Sequence, residues 1–405
     1  MKINSLKQPV AITMWDSSWL RRRYAGGGFE DYDKALDELL ERGYNAVRID
    51  AFPHMIANAP DGTNAERFLD PTGFGFHWYG FAQWGSPWTI YIYPRRDIVE
   101  FLKKCEQRNV YVILSTWLKP TSEPRNDWMN GTDDLVRVWD ETLKFLQEND
   151  CLKPVIGVDI QNEIPTGACN TWLYNRLNSL KTLENKRNKE QIDFYRNFFG
   201  TALRELRKRW PEIPFSASQT TMFFEENADM DFTDYEFLDV HIWAEECAKF
   251  PLWDHTNYKE SIRHFGENLM LNYRRGTDYS DNKRMAPPDI EFERMSEQIH
   301  ESWYKNRSLC EEWLEERIAY VAEKGKSYGI PVGNTEGWGS VFWVEHPMLS
   351  WDMVKDAGMI GAKLGNKYGY TFNCQSNFCE PQFASLWKDV AYHQELTNII
   401  KGNLK

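Results

Sequence analysis

Residues 155–163, VIGVDIQNE, decide the fold. The stretch begins as an apolar run, which is typical of a parallel strand buried on both faces. It turns polar within one strand length and ends in Asn162 and Glu163. In a (β/α)8 barrel the functional site lies at the C-terminal ends of the strands. The stretch therefore predicts a barrel strand that delivers a carboxylate to the mouth.

A second stretch, residues 330–336, IPVGNTE, has the same design. A proline stands near its start, apolar residues follow, and it ends in Glu336. We therefore expect the chain to be organised around Glu163 and Glu336.

Apolar runs alternate with amphipathic helical patterns along the whole chain. The expected strands are residues 10–15, 45–50, 110–116, a fourth starting at Val155, 213–217, 237–243, 330–336 and 367–373. The expected helices are residues 31–42, 97–108, 133–148, 191–209, 351–364 and 383–400. Strand, helix and strand in that order predict right-handed parallel crossovers. The sequence thus predicts an α/β fold, a single (β/α)8 TIM barrel domain over residues 1–405, with a doubly wound open sheet as the alternative.

Two long segments interrupt this alternation. Residues 52–94 follow the second strand and contain the aromatic run GFGFHWYGFAQWGSPW, residues 73–88. Residues 244–291 follow the sixth strand and are rich in charge. Loops of this length in a compact domain are usually functional. Both leave C-terminal strand ends, so we expect them to overhang the mouth.

Composition narrows the classes of partner. Aromatic residues make up 15% of the chain and include 18 Trp, which is typical of surfaces that stack on sugar rings or bases. The net charge of −12 argues against nucleic acid, because phosphates demand a basic surface. No run of 18 apolar residues occurs, so we expect no membrane partner.

The cysteines and the N-terminal residues bear on location. The seven cysteines show no paired spacing, which is typical of a reducing compartment. The first residues, MKINSLKQPVAITMW, lack the apolar segment of a signal peptide. These features predict a cytoplasmic protein.

No pattern indicates a cofactor or a metal. The glycines at 26–28 lack the G-x-G-x-x-G spacing of a dinucleotide site. The eight histidines are scattered, with no H-x-H or H-x-x-x-H pair. We therefore expect no cofactor and no metal, and a metal-dependent barrel hydrolase is the less favoured alternative.

Five polar residues carry a family resemblance. Arg48 lies near the end of the second strand, Asn162 and Glu163 follow the fourth, His241 lies on the sixth, and Glu336 ends the seventh. With these motifs nearly the whole chain resembles the endoglucanase-type clan of (β/α)8 retaining glycoside hydrolases, nearest to bacterial cellulase-like proteins. The resemblance implies Glu163 as acid/base and Glu336 as nucleophile. It also implies that Asn162 holds the sugar 2-hydroxyl and that Arg48 lies beneath the nucleophile.

The chemistry supports this division of roles. Retaining hydrolysis needs two carboxyl groups roughly 5–5.5 Å apart, one to attack the anomeric carbon and one to protonate the leaving oxygen. A nearby Arg48 would favour the ionised form of Glu336. Aromatic burial and the second carboxylate would favour a protonated Glu163. By alternation Asp159 and Gln161 lie below the mouth, and Arg48 is the expected partner of buried Asp159.

Three positions depart from the clan. Trp243 stands where the clan often has a tyrosine whose hydroxyl touches the nucleophile. The eighth strand ends in residues 371–373, TFN, without the usual tryptophan, and Trp117 follows the third strand where the clan has histidine. These changes leave the substrate open.

Further side chains at strand ends are candidates for substrate contacts. The aromatic candidates for sugar stacking are Trp15, Trp84, Trp88, Trp117, Trp243 and Trp338, and the polar candidates are Asp50 and His54. The expected partner is an oligosaccharide or glycoconjugate, and the expected function is double-displacement cleavage of β-linked gluco- or manno-type oligosaccharides. Exo action is expected if the long loops close one end of the cleft. A non-catalytic carbohydrate-binding barrel is the alternative.

Overall fold

Eight parallel strands lie at the centre of the molecule. They are β1 (Val10–Asp16), β2 (Ala46–Asp50), β3 (Tyr111–Ser115), β4 (Val155–Asp159), β5 (Phe215–Ser216), β6 (Leu238–Asp239), β7 (Val332–Asn334) and β8 (Phe372–Cys374). Neighbours pair in the order β5-β4-β3-β2-β1-β8-β7-β6. The computed structural model describes residues 2–70, 86, 88–119, 123, 125–164, 172, 175–176, 188–220, 223–224, 229–247, 292–339, 343, 345 and 347–403.

Isolated bridges join β5 to β6 and complete the circle. Gln219 bridges to Ile164 on one side and to Val240 on the other. The backbone N–H of His241 donates to the carbonyl oxygen of Gln219 at 2.9 Å. The strands therefore form a nearly closed barrel, so the predicted (β/α)8 fold is confirmed and the open sheet is excluded. The single-domain boundary at 1–405 stays a prediction.

Helices surround the barrel. They are α1 (Tyr32–Glu41), α2 (Pro94–Arg108), α3 (Thr132–Glu148), α4 (Lys189–Arg209), α5 (Phe292–Tyr328), α6 (Asp352–Lys367) and α7 (Val390–Ile400). Asp31 caps α1 by accepting from the backbone N–H of Asp33, and Asn188 with Gln191 forms a capping box at the start of α4. Such caps satisfy N–H groups that the helix itself leaves unpaired. None of the described helices is long and apolar enough to cross a membrane.

Two apolar layers hold the barrel. A large cluster fills the space between the strands and the helices. A smaller cluster lies inside the barrel and includes Ile12, Ile113, Ile156 and Phe237, with Ile3 of the N-terminal turn. Toward the C-terminal strand ends the interior becomes polar, because Arg48, Asp159, Asp239 and Glu336 are all buried there. The apolar cluster inside the barrel therefore lies beneath a layer of buried charged side chains at the C-terminal ends of the strands.

The eighth strand starts later than predicted. Helix α6 continues to Lys367, where the prediction began the strand, and β8 covers only Phe372–Cys374. Gly369 has φ = 77°, a left-handed conformation that glycine adopts without steric cost and that commonly ends helices. The predicted boundary overlooked this stop signal.

The described parts of the loops after β2 and β6 begin at the C-terminal ends of these strands. The first contains a short helix, Pro53–Ile56, and an antiparallel pair of strands, Phe68–Asp70 with Ile90–Ile92. Residues 71–85, which include Trp84 and most of the aromatic run, lie outside the described residues, as do residues 248–291 of the second loop.

Candidate active site

Two glutamates and a histidine meet at the mouth of the barrel. One side-chain oxygen each of Glu163 and Glu336 and one ring nitrogen of His241 all lie within 4.8 Å of one another. Glu163 follows β4, His241 follows β6 and Glu336 follows β7. The structure thus brings together the two carboxylates around which the sequence is organised.

The backbone after β4 turns both Asn162 and Glu163 toward Glu336 and His241. Strict alternation would place adjacent residues on opposite faces, but β4 ends at Asp159 and Glu163 has φ = 52°. A left-handed conformation costs a non-glycine residue roughly 1–2 kcal/mol. The Ser218 hydroxyl accepts a hydrogen bond from the N–H of Glu163 at 2.9 Å, and this contact holds the turn in place.

Three side chains donate hydrogen bonds to the Glu336 carboxylate. Arg48 Nη1 lies 2.8 Å and Asn162 Nδ2 lies 3.2 Å from Oε1. Asn377 Nδ2 lies 3.3 Å from Oε2. Arg48 also donates to Asn162 Oδ1 through Nη2. Glu336 is thereby fixed in one orientation from both of its oxygens.

His241 links the two carboxylates. Its Nδ1 lies 3.0 Å from Glu163 Oε1 and 3.9 Å from Glu336 Oε1. Its Nε2 lies 3.1 Å from the Thr335 hydroxyl and 3.5 Å from Asp239 Oδ1. Burial opposes a charge here, but Glu336 and Asp239 outweigh it and raise the pKa of His241 to about 10. The neighbouring carboxylates thus favour the protonated form of the ring, whose Nδ1 is within hydrogen-bonding distance of Glu163.

The buried position of Glu336 affects its ionisation. Burial raises the pKa of this carboxyl to about 7, against the opposing charges of Arg48 and His241. The expected help from Arg48 is present, but it does not restore the usual carboxyl pKa. Both forms of Glu336 are therefore populated near neutral pH.

An ion-pair chain that the sequence did not reveal continues from Arg48 across the mouth. Arg48 Nη1 lies 3.5 Å from Asp16 Oδ1. Asp16 in turn accepts from Lys119, which also donates to the Ser17 hydroxyl at 2.9 Å. Asp16 ends β1 and Lys119 follows β3, so a search for charged residues at every strand end would have found them.

The expected pairing of Arg48 with Asp159 is wrong. Asp159 accepts from the Ser115 hydroxyl at 2.6 Å and from the backbone N–H and hydroxyl of Ser218 at 2.8 and 2.9 Å. Arg48 Nη2 reaches Ser115 at 3.1 Å. Ser115 therefore lies between the predicted partners, and Ser218 supplies the other hydrogen bonds to Asp159.

Trp15 and Trp338 do not line the mouth as predicted. Both are fully buried. The ring of Trp15 packs edge-on against Phe29 at 5.0 Å between centroids. The ring of Trp338 is covered by α6, where a Cβ added to Gly361 would lie 2.2 Å from a ring atom. Their outward orientation on the barrel wall places both indoles in the apolar layer, where no face is open to a sugar.

Asp50 and His54 support the loops. Asp50 accepts from the backbone N–H of Phe52 at 2.9 Å and of Trp117 at 3.1 Å. His54 Nε2 donates to the Lys119 carbonyl oxygen at 2.8 Å, and burial lowers the pKa of His54 to about 4. Because both side chains already form hydrogen bonds to backbone groups of the loops at the mouth, these bonds argue against the sugar contacts that were predicted for Asp50 and His54.

The remaining aromatic candidates differ in position. Trp117 is half-buried beside Lys119. Trp243 is 5% exposed, its ring lies 5.9 Å from that of His241, and within the described part of the chain its Nε1–H has no hydrogen-bond partner. Trp88 is 55% exposed on the loop after β2. Trp84 lies outside the described residues.

The donor atoms of Glu163, His241 and Glu336 are close enough to hold a metal ion. A metal ligand must be a neutral imidazole, and because Glu336 and Asp239 raise the pKa of His241, a metal ion there would have to displace a proton from the ring. Arg48 also donates a hydrogen bond to Glu336 Oε1. These contacts favour carboxylate chemistry at this position. The expected absence of metal and cofactor stays a prediction.

Comparisons with known proteins agree with this architecture. A protein from Parabacteroides distasonis described as a "putative glycoside hydrolase" is 29% identical, with a TM-score of 0.79 over 97% of this chain and 94% of that one. The endo-β-1,4-mannanase from Thermotoga petrophila shares the fold, at 9% identity and a TM-score of 0.51 over 100% of this chain and 79% of that one. No curated protein sequence matches.

A family model described as "Sugar-binding cellulase-like" matches residues 12–401. The match covers nearly the whole barrel, from β1 to α7, and so includes every residue of the mouth described above. The chain belongs to the cellulase-like family.

Proposed function

We propose that the chain is a retaining glycoside hydrolase that cleaves β-linked gluco- or manno-type oligosaccharides or glycoconjugates by double displacement. The observation that carries the proposal is the approach of Glu163 and Glu336 within 4.8 Å across the mouth. Carboxyl groups about 5–5.5 Å apart are typical of retaining enzymes, whereas inverting enzymes leave roughly 6.5–9.5 Å for a water molecule.

The surroundings of each glutamate favour one division of roles. Glu336 is fixed by three donors and only 4% of its side chain is exposed, as suits a nucleophile that attacks along one line. Glu163 is more exposed, at 11% of its side chain. It can therefore reach both the leaving oxygen and an incoming water molecule, as the acid/base must.

The proposed reaction has two steps. A Glu336 oxygen bonds to the anomeric carbon while Glu163 gives its proton to the leaving oxygen, and the glycosidic bond breaks. Glu163 then takes a proton from water, whose oxygen displaces Glu336 from the anomeric carbon. His241 Nδ1, 3.0 Å from Glu163 Oε1, is proposed to hold the Glu163 carboxyl group in position during both steps.

Two hydrogen-bond donors at the mouth are proposed to bind the sugar. Asn162 uses one N–H on Glu336 and retains a second for the 2-hydroxyl, where hydrogen bonds strengthen in the transition state. Within the described part of the chain the Nε1–H of Trp243 is unpaired, and because a buried donor without a partner is costly, a ligand hydroxyl that pairs with it gains affinity. Trp117 is proposed to stack on the sugar.

A sugar-binding barrel without turnover is the second candidate. The family description, which names sugar binding, favours it. The opposed carboxylates favour catalysis, because binding a neutral sugar does not require two acids within 4.8 Å. Exo action and a cytoplasmic location stay predictions.

The proposed function is tested with a panel of aryl β-glucosides, β-mannosides and β-linked disaccharides. We expect turnover of at least one member, with the β-anomer as the first product seen by proton NMR. A first product of the α-configuration would contradict the retaining mechanism. Binding without turnover across the panel would favour the sugar-binding barrel.

The pH dependence of kcat/KM is expected to show an acidic limb near pH 7. Glu336 must be ionised to attack, and its raised pKa of about 7 means that protonation removes the nucleophile as the pH falls. Below pH 7 we expect a roughly tenfold loss per pH unit. Initial rates at low substrate concentration measure this limb in the free enzyme. A plateau that extends down to pH 5 would contradict the assignment.

A further inference from the structure

We infer that Asn377 is a positioning residue for Glu336, with its side-chain amide tying the carboxylate to the backbone that follows β7. The inference deepens the proposed function and rests on it. Asn377 lies in the loop after β8 and is buried, at 1% exposure. No motif in the sequence singles it out.

The geometry of the Asn377 amide is specific. Its Nδ2 donates to Glu336 Oε2 at 3.3 Å, and its Oδ1 accepts from the backbone N–H of Gly337 at 3.1 Å. The amide therefore contacts the carboxylate and the next peptide group together. A swing of the Glu336 side chain away from its peptide would break one of these bonds.

The two oxygens of Glu336 depend on different partners. Oε1 takes hydrogen bonds from Arg48 and Asn162. Within the described part of the chain, Oε2 takes its hydrogen bond from Asn377 alone. Donors on Oε1 alone fix one oxygen of the carboxylate, and a donor on Oε2 fixes the other, so that both oxygens define its plane. Asn377 thus sets the plane of the group that attacks.

A second asparagine holds the backbone at the same place. Asn334 Nδ2 donates to the carbonyl oxygen of Glu336 at 3.0 Å and to that of Cys374 at 3.2 Å. The segment after β7 is thereby tied to the end of β8 at its backbone, and Asn377 adds the tie at the side chain. The backbone of Glu336 is thus held by Asn334 of β7, which also contacts β8, and its side chain by Asn377 of the loop after β8.

Asn377 supplies a donor that the sixth strand does not. Residue 243, after β6, is a tryptophan that lies beside His241. The indole of Trp243 has no hydroxyl, and its Nε1–H is unpaired among the described residues. The donor comes instead from an amide across the mouth.

The Asn377 amide is expected to lower the pKa of the Glu336 carboxyl. An N–H that points at an ionised carboxylate stabilises the charged form and lowers the pKa of the carboxyl. Aspartate at the same position would keep an oxygen for the N–H of Gly337 but set a like charge against Glu336. Asn377→Asp can therefore keep the hydrogen bond from the Gly337 N–H while it changes the electrostatic environment of the Glu336 carboxylate.

The decisive experiment titrates the Glu336 carboxyl in the full-length protein. Carbon-13 NMR of protein labelled at the glutamate carboxyl follows ionisation, and Glu336→Gln assigns the signal. We expect Asn377→Asp to raise the midpoint by at least one pH unit, and Asn377→Ala, which loses the donor, to raise it less. The control Asn366→Asp alters an amide bonded to the carbonyl oxygen of Ile399 between outer helices and should leave the midpoint unchanged.

A second experiment measures the attack of Glu336 on an anomeric carbon directly. The reagents 2,4-dinitrophenyl 2-deoxy-2-fluoro-β-D-glucoside and its manno analogue should label Glu336, as peptide mass would show, and Asn377→Ala should slow labelling about tenfold. An unchanged Glu336 midpoint in both folded Asn377 variants overturns the inference while leaving the proposed function intact. A wild-type protein that neither reagent labels overturns the proposed function and, with it, the role of Asn377 in attack.

Discussion

Glu336→Gln is expected to lower kcat/KM on an aryl β-glycoside by roughly 10⁴-fold or more, because an amide cannot form the glycosyl-enzyme bond. The substitution keeps the shape of the side chain within its contacts to Arg48, Asn162 and Asn377. Affinity for an oligosaccharide, measured by calorimetry, should therefore change little. Steady-state rates and binding affinities together show whether the variant has lost the chemical step or the ability to bind the oligosaccharide.

Glu312→Gln is the matched control for this loss. Glu312 is exposed on α5, so the same chemical change there should leave turnover as it is. Thermal unfolding of both variants shows whether the fold persists. Turnover of Glu336→Gln at the wild-type rate would remove Glu336 from the mechanism.

Arg48→Met is expected to lower the free energy of unfolding by about 3–5 kcal/mol, the usual cost of removing one partner of a buried ion pair. Arg48 is 0% exposed and contacts Glu336, Asp16 and Asn162. Methionine has a similar volume but leaves Glu336 without its closest cation. Denaturant unfolding near neutral pH measures the change.

Two further variants test the cause of that destabilisation. Arg108→Met removes an arginine that pairs with Asp33 and Asp37 on the surface, where ion pairs contribute little, so its effect should be much smaller. Adding Glu336→Gln to Arg48→Met should recover part of the lost stability, since a neutral amide needs no counter-charge. A double variant less stable than the sum of the single changes would contradict this account.

The barrel strands and the two glutamates could be predicted because both belong to a local sequence pattern. A parallel strand buried on both faces appears as a short apolar run, and a side chain that faces the mouth appears as a polar residue at the end of that run. Glu163, His241 and Glu336 were found by this rule, and the structure places them together. Arg48 was found in the same way, although its partners are Glu336 and Asp16 and not Asp159.

The residues that were missed have no such signal. Ser218 and Asn377 act through single hydrogen bonds formed between distant parts of the chain, and no spacing in sequence records them. Conversely, Trp15 stands at a strand end but faces the helix layer. Glu163 breaks the alternation through its left-handed backbone, and only the folded chain reveals where that alternation stops.

The junction of β5 and β6 has a consequence for the way this protein would lose activity. Among the described residues no continuous ladder pairs these two short strands, and isolated bridges at Gln219 and single hydrogen bonds such as that from the Ser216 hydroxyl to the Phe237 carbonyl oxygen join them. Glu163 comes from the portion of the chain before this junction, and His241 and Glu336 from the portion after it. We expect local unfolding along this junction to separate Glu163 from Glu336 while the rest of the barrel stays folded, so that the proposed activity is lost on heating before global unfolding.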